Sequence, residues 1–208
     1  VIDSANSSPK PTKPVPSLIY FAGFLLGLLI PASFIYLKEL IDDTVKTKEE
    51  VEKETKVTVL SQIPLNKTED SAILTEGTKS ISAEAFRTLR ANLAFVTHSN
   101  DKKVMLVTSS ISGEGKTFIS INLAQSLALT GKKVVILELD LRKPKVISYL
   151  NRRVEAGLSH YLIGNAAIED LIITSGVHEN FDLIGCGPIP PNPSELLTGT
   201  KISELIEA

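Results

Sequence analysis

An α/β fold, a parallel sheet with flanking helices preceded by one membrane-spanning helix, is predicted by three observations. An apolar run at residues 104–107 leads through a glycine-containing turn into a helical pattern at 118–124. A second apolar run, residues 133–139, ends in Asp140. Far upstream, residues 18–37 carry no charged side chain. Strand, helix and strand in this order, with apolar strands, imply a parallel sheet covered on both faces.

The chain has 208 residues and a formal net charge of −2, room for one globular domain with appendages. So balanced a charge excludes a general nucleic-acid binder, which would carry a strong basic excess. Cys186 is the single cysteine. It has no intrachain disulfide partner and reads as a buried thiol in an apolar context. His98, His160 and His178 are scattered, without partners at metal-ligand spacing.

Residues 1–17 contain Pro9, Pro11, Pro14 and Pro16 among Ser, Asn and Lys, a composition that favours an extended chain and builds no core. The run 18–37 follows; as a helix it spans roughly 30 Å, the thickness of a bilayer core. Tyr20 and Tyr36 lie near its ends, where aromatic belts form, and Pro31 is tolerable within it. The proline-rich lead-in and the length of the run argue against a signal peptide. Lys10 and Lys13 precede the span, whereas Lys38, Lys46, Lys48, Lys53 and Lys56 follow it. The basic flank predicts that the C-terminal side faces the cytosol.

Residues 38–56, rich in Glu and Lys, read as a solvated helical extension of the span. Residues 57–60 are a short strand candidate ended by Pro64, and 66–78 a loose linker. Residues 80–96 have helical spacing, with Ile81, Phe86, Leu89, Leu93 and Val96 able to share a face.

Residues 108–117, Thr-Ser-Ser-Ile-Ser-Gly-Glu-Gly-Lys-Thr, form the turn between the first apolar run and its helix. A strand, a turn and a helix N-terminus bring several backbone N–H groups to one point, and the helix dipole adds positive charge there. The pattern predicts the phosphate-binding loop of a P-loop NTPase. Ser112, Gly113, Glu114, Gly115, Lys116, Thr117 and Phe118 are its nucleotide-binding candidates. Lys116 is expected to reach the outer phosphates of a nucleoside triphosphate, and the Thr117 hydroxyl to ligate Mg²⁺. Ser110 stands where the strict pattern has its first glycine.

Gly131 ends the helix, and the strand that follows carries Glu138 and Asp140. Ligands of such sheets sit at the carboxyl ends of the strands, which puts Asp140 beside Lys116 and Thr117 as a Mg²⁺-binding and catalytic residue. A weaker helix is expected over 157–173 and another strand over 181–185. Pro188, Pro190, Pro191 and Pro193 then make a rigid turn before Ser194. The chain begins with Val1 rather than Met and stops inside an amphipathic run at 201–208, so it reads as a fragment, with the P-loop domain incomplete at its C-terminus.

These features, in this order, resemble the bacterial tyrosine autokinases (BY-kinases) of polysaccharide export in their membrane co-polymerase form. The likeness runs along essentially the whole chain: a periplasmic segment at 1–17, a transmembrane helix at 18–37, a cytosolic juxtamembrane stretch at 38–79 and a kinase domain at 80–208. Glu84, Arg87 and Arg90 look like the family's E-x-x-R-x-x-R motif, which implies ring-like self-association; taken alone, that spacing equally gives intrahelical ion pairs. Residues 136–144 are similar to the family's second acidic motif, with Glu138 where aspartate is usual. Residues 157–159 and 187–197 also resemble family segments. The third acidic motif and the tyrosine-rich tail that accepts phosphate do not occur, and truncation accounts for both.

The resemblance implies transfer of phosphate from MgATP to tyrosines of a neighbouring subunit, with Lys116 and Asp140 catalytic and Glu138 assisting. It implies a homo-oligomer in the bacterial inner membrane, with the polysaccharide export machinery and a tyrosine phosphatase as partners. Two other readings are open. A partitioning or division-site ATPase usually has a lysine at the place of Ile111 and meets membranes through an amphipathic helix. A polysaccharide chain-length regulator could bind nucleotide without using it for transfer.

Overall fold

The computed structural model describes residues 15–42, 44–65, 74–97 and 104–207. The proline-rich stretch, save its last residues, most of the 66–78 linker and His98 lie outside them. The chain divides into two compact units, one ending at Val57 and the other beginning at Thr58.

The first unit holds two helices. Helix α1, Pro16–Ile41, has Pro16 in its first turn and Pro31 inside it. Proline at the start costs no hydrogen bond, whereas inside it removes one. No residue of α1 is buried, although it is apolar on all sides and long enough to cross a membrane. The expected continuous extension does not form. Asp42 leaves helical geometry, and its carboxylate accepts the Thr44 N–H and pairs with Lys46 at 3.0 Å. Such local side-chain bonds compete with the helix ladder. The Thr44 hydroxyl first, and Lys46 second, hold the Asp42 carboxyl down at about 2. Helix α2, Lys48–Thr55, starts anew on a capping box between Thr47 and Glu50.

In the second unit, α3 (Ile81–Val96) starts on the Ser80 hydroxyl, which accepts the Ala83 N–H. It buries Ala83 and Phe86, while Ile81 and Val96 at its two ends are exposed. The expected strand at 57–60 is absent. Its backbone is instead fastened to α3, where the Asn92 amide donates to the Leu60 carbonyl at 2.6 Å. Helix α4, Lys116–Ala128, buries Ile121–Gln125 almost without interruption.

Strand β1, Val134–Leu137, follows. After it come α5 (Val146–Tyr149), α6 (Leu158–Ile163), a 3₁₀ turn at Glu169–Leu171, β2 (Ile173–Thr174) and β3 (Phe181–Ile184), then α7 (Pro193–Leu197) and α8 (Thr200–Glu207). The sheet order is β1-β3-β2. Strands β1 and β3 are parallel, Val134 opposite Phe181 through Leu137 opposite Ile184. Strand β2 joins β3 antiparallel, so the sheet is mixed rather than wholly parallel.

Alternation along β3 builds two cores. Phe181 and Leu183 pack with Ile121, Ala124 and Ala128 of α4 and Val146 of α5. Ile184, on the other face, packs with Leu158 and Leu162 of α6 and Leu205 of α8. Two further expectations fail. Gly164, at φ 92°, caps α6 after six residues and breaks the helix expected over 157–173. Among the described residues the 104–107 run pairs with no strand, and Val104 and Leu106 are 65% and 77% exposed.

Candidate functional site

The phosphate turn opens α4. Gly113 and Gly115 have φ of 101° and 95°, left-handed values that disfavour any side chain. A Cβ on either would meet nothing within 4 Å, so conformation rather than space demands glycine. The helix ladder begins where the Ile119 N–H meets the Gly115 carbonyl at 2.9 Å. The N–H groups just before it, of Lys116, Thr117 and Phe118, therefore stand at the helix mouth. Ser112, Gly113 and Glu114 are exposed, and Lys116 and Thr117 half-buried.

The structure joins the two residues expected to do chemistry. Lys116 Nζ lies 2.8 Å from Asp140 Oδ2, each side chain about a third exposed. Asp140 Oδ1 accepts the N–H groups of Lys143 at 3.0 Å and Arg142 at 3.4 Å, which fixes the carboxylate beyond the end of β1. Lys116 foremost, then the Lys143 amide, holds the Asp140 carboxyl below its usual range. One oxygen of the acid is anchored by backbone amides and the other meets the Lys116 ammonium.

Two nucleotide-binding candidates act otherwise through their side chains. Glu114 folds back, its carboxylate accepting the N–H groups of Ser110 at 2.9 Å and Ile111 at 3.2 Å. It thus pins the turn at the place where the strict pattern has glycine. The Phe118 ring packs edge-on against Phe86, centroids 5.5 Å apart, so only its backbone faces the site.

Of the α3 trio, Glu84 and Arg87 form an intrahelical pair, and Arg87 also donates to the Thr78 carbonyl. Arg90 turns inward and donates to the Ser126 carbonyl and hydroxyl of α4, at 2.6 and 3.1 Å. Glu138, expected to assist catalysis, is 4% exposed and directed at backbone amides. Cys186 is buried beside it; burial first, then the Glu138 and Asp140 charges, pushes its thiol up to about 11. Sequence reading missed the Arg142 bridge, in which the guanidinium donates to the Ser194 hydroxyl at 2.9 Å and ties the acidic loop to α7.

The two glycine-bearing segments meet at the end of β3. Leu158 and Ser159 donate to the carbonyls of Gly185 and Cys186. A Cβ on Gly157 would stand 2.3 Å from the Gly187 nitrogen, so no larger residue fits there.

The CobQ/CobB/MinD/ParA nucleotide binding domain matches residues 105–178. That match supports a nucleotide-binding fold and leaves the family open. Tyrosine-protein kinase wzc of Salmonella typhi is 31% identical over 223 residues, 99% of this chain. The solved kinase domain of Escherichia coli tyrosine kinase ETK is 31% identical with a TM-score of 0.69, over 79% of this chain and 68% of that one. The chain belongs to the bacterial tyrosine-protein kinases. Within this family, tyrosine-protein kinase etk of Escherichia coli K12 is 30% identical over 229 residues, all of this chain. The chain spans 31% of the length of the wzc and etk kinases. Kinship of this breadth favours the kinase reading of the turn over the partitioning ATPase.

Proposed function

We propose that this chain is the membrane-anchored catalytic part of an ATP-dependent protein-tyrosine autokinase serving the export and chain-length control of a capsular or extracellular polysaccharide. The observation that carries the reading is the 2.8 Å pair between Lys116, at the mouth of α4, and Asp140, beyond the end of β1. Lys116 and Asp140 hold each other until nucleotide enters. Lys116 then turns to the outer phosphates and neutralises charge developing on the transferred group. The backbone of Gly113–Thr117 cradles the phosphates.

The residues fit Mg²⁺: a hydroxyl in the first helical turn, Thr117, and an accessible ionised carboxylate, Asp140, are hard oxygen donors. When bound, Mg²⁺ would supply charge neutralisation to the phosphates. Asp140, released by Lys116, would help to hold that ion or would take the proton of the attacking phenol.

The remaining assignments belong to the same reading. Residues 1–17 are periplasmic, 18–37 cross the inner membrane, and 38–79 and the kinase domain from residue 80 are cytosolic. Helix α3, with Glu84, Arg87 and Arg90, serves ring-like self-association, Arg90 by anchoring the helix. The export machinery and a tyrosine phosphatase are its partners.

The test is incubation of the full-length protein with labelled ATP and Mg²⁺. Phosphotyrosine is expected in the native protein and none in Lys116→Met. Release of free phosphate without protein labelling refutes the reading.

A further inference from the structure

Glu138 is the first acid of the strand-end motif, yet its carboxylate does not face the phosphate turn. Oε1 accepts the N–H groups of Lys145 at 2.5 Å and Val146 at 2.6 Å, at the start of α5. Oε2 accepts the N–H of Cys186 at 3.3 Å, just past β3. The Glu138 N–H itself donates to the Ile184 carbonyl at 3.0 Å and completes the β1–β3 ladder. One residue thus ties together the end of β1, the end of β3 and the entry to α5. The loop 138–145 is closed on itself by this side chain, and Asp140 lies within it. A phenol approaching Glu138 would have to displace a backbone amide inside a site that is 4% exposed.

We infer that Glu138 is a positioning residue: it closes the 138–145 loop and so holds Asp140 against Lys116, without touching the transferred group or its proton. The extra methylene relative to aspartate matters because it lets one carboxylate reach amides on two separate segments. Only the phosphoryl-transfer arm of the test rests on the kinase reading; the binding and stability arms do not.

The reach requirement and the charge requirement pull opposite ways in two variants of the full-length protein. Glu138→Gln keeps the length and one oxygen for the Lys145 and Val146 amides, but sets its NH2 against the Cys186 N–H, donor to donor. Glu138→Asp keeps the charge but is shorter by about 1.5 Å. Three readouts apply: the thermal midpoint, the affinity for a fluorescent ATP analogue with and without Mg²⁺, and the rate of tyrosine phosphorylation.

Glu138→Gln is expected to lower the midpoint, because the buried Cys186 N–H loses its acceptor, yet to keep more of the Mg²⁺ increment and of the rate than Glu138→Asp. Glu138→Asp is expected to lower the midpoint by about 4–8 °C. It should also remove about tenfold of the affinity that Mg²⁺ adds, because Asp140 is no longer held in place. A change of fold stability alone would not act selectively on the Mg²⁺ increment. The opposite order, an active Glu138→Asp and a Glu138→Gln slowed more than about a hundredfold at unchanged affinity, overturns the proposal and makes Glu138 a base. Equal losses of the Mg²⁺ increment in both variants, or none in either, overturn it as well. Should the native protein label no tyrosine, the kinase reading falls, and the order of the Mg²⁺ increments still decides this one.

Discussion

Lys116 and Asp140 neutralise each other, and on the proposed function an entering nucleotide parts them, so that each has two partners in turn. Replacing Asp140 with Asn should therefore act differently with and without metal. With Mg²⁺, nucleotide affinity is expected to fall by about tenfold, roughly 1.4 kcal/mol; without it, affinity should hold or improve, because Lys116 is already free. Titration of a fluorescent ATP analogue under both conditions measures this, and equal losses in the two would count against a Mg²⁺ role. The lowered Asp140 carboxyl also sets a pH window. Its stabilising contribution is fully present above the ordinary value of 3.8 and is lost as pH falls through the lower folded value. The gap in urea midpoint between native and Asp140→Asn proteins should accordingly be constant near neutrality and narrow in acid.

Lys116, Thr117 and Asp140 were legible in the sequence because motif spacing and strand-end position fix where they stand. Glu114, Arg90 and Glu138 were not. Their partners are mainly backbone groups, three and four residues back for Glu114, 36 residues away for Arg90 and up to 48 for Glu138, and the pattern of side chains carries no record of bonds to backbone.

At the scale of elements, α4 is held from outside by one row of residues. Phe118 meets the Phe86 ring, the Asn122 carboxamide oxygen accepts the Leu74 N–H at 3.0 Å, and Ser126 receives Arg90. A spacing of four puts all three on one face of the helix. Phe86 is fully buried, so Phe86→Ala is expected to cost about 3–5 kcal/mol in urea unfolding. Arg90→Ala should cost about 1–3 kcal/mol, for the bonds it makes to Ser126. No change in either variant would mean that α3 does not depend on this docking. Periodicity predicted α3 because it has a buried face; α4 is buried nearly all round, and the glycine turn before it and Gly131 after it marked its place. Periodicity misjudged 104–107 because an apolar run specifies no hydrogen-bonding neighbour, and 157–173 because a single left-handed glycine, Gly164, outweighs the pattern around it.

At the scale of the whole molecule, α1 is the feature that packing inside the chain does not explain: apolar all round and wholly exposed. A bilayer satisfies both facts. The membrane orientation can be read with cysteine labelling, since the native Cys186 is buried and its thiol, pushed up to about 11, stays protonated and silent at neutral pH. In intact spheroplasts, a membrane-impermeant maleimide is expected to label Ser7→Cys directly and Lys53→Cys only after permeabilisation. The reverse pattern would invert the proposed topology.

The row at 118, 122 and 126 has a consequence of a different kind. It begins one residue after Thr117, so on the proposed function the same helix carries the phosphate cradle at its mouth and the seat of α3 along its side. A shift of α4 on binding nucleotide would reach that seat, and any such coupling is reciprocal. Whatever factor self-association through α3 then adds to nucleotide affinity, nucleotide must return to self-association.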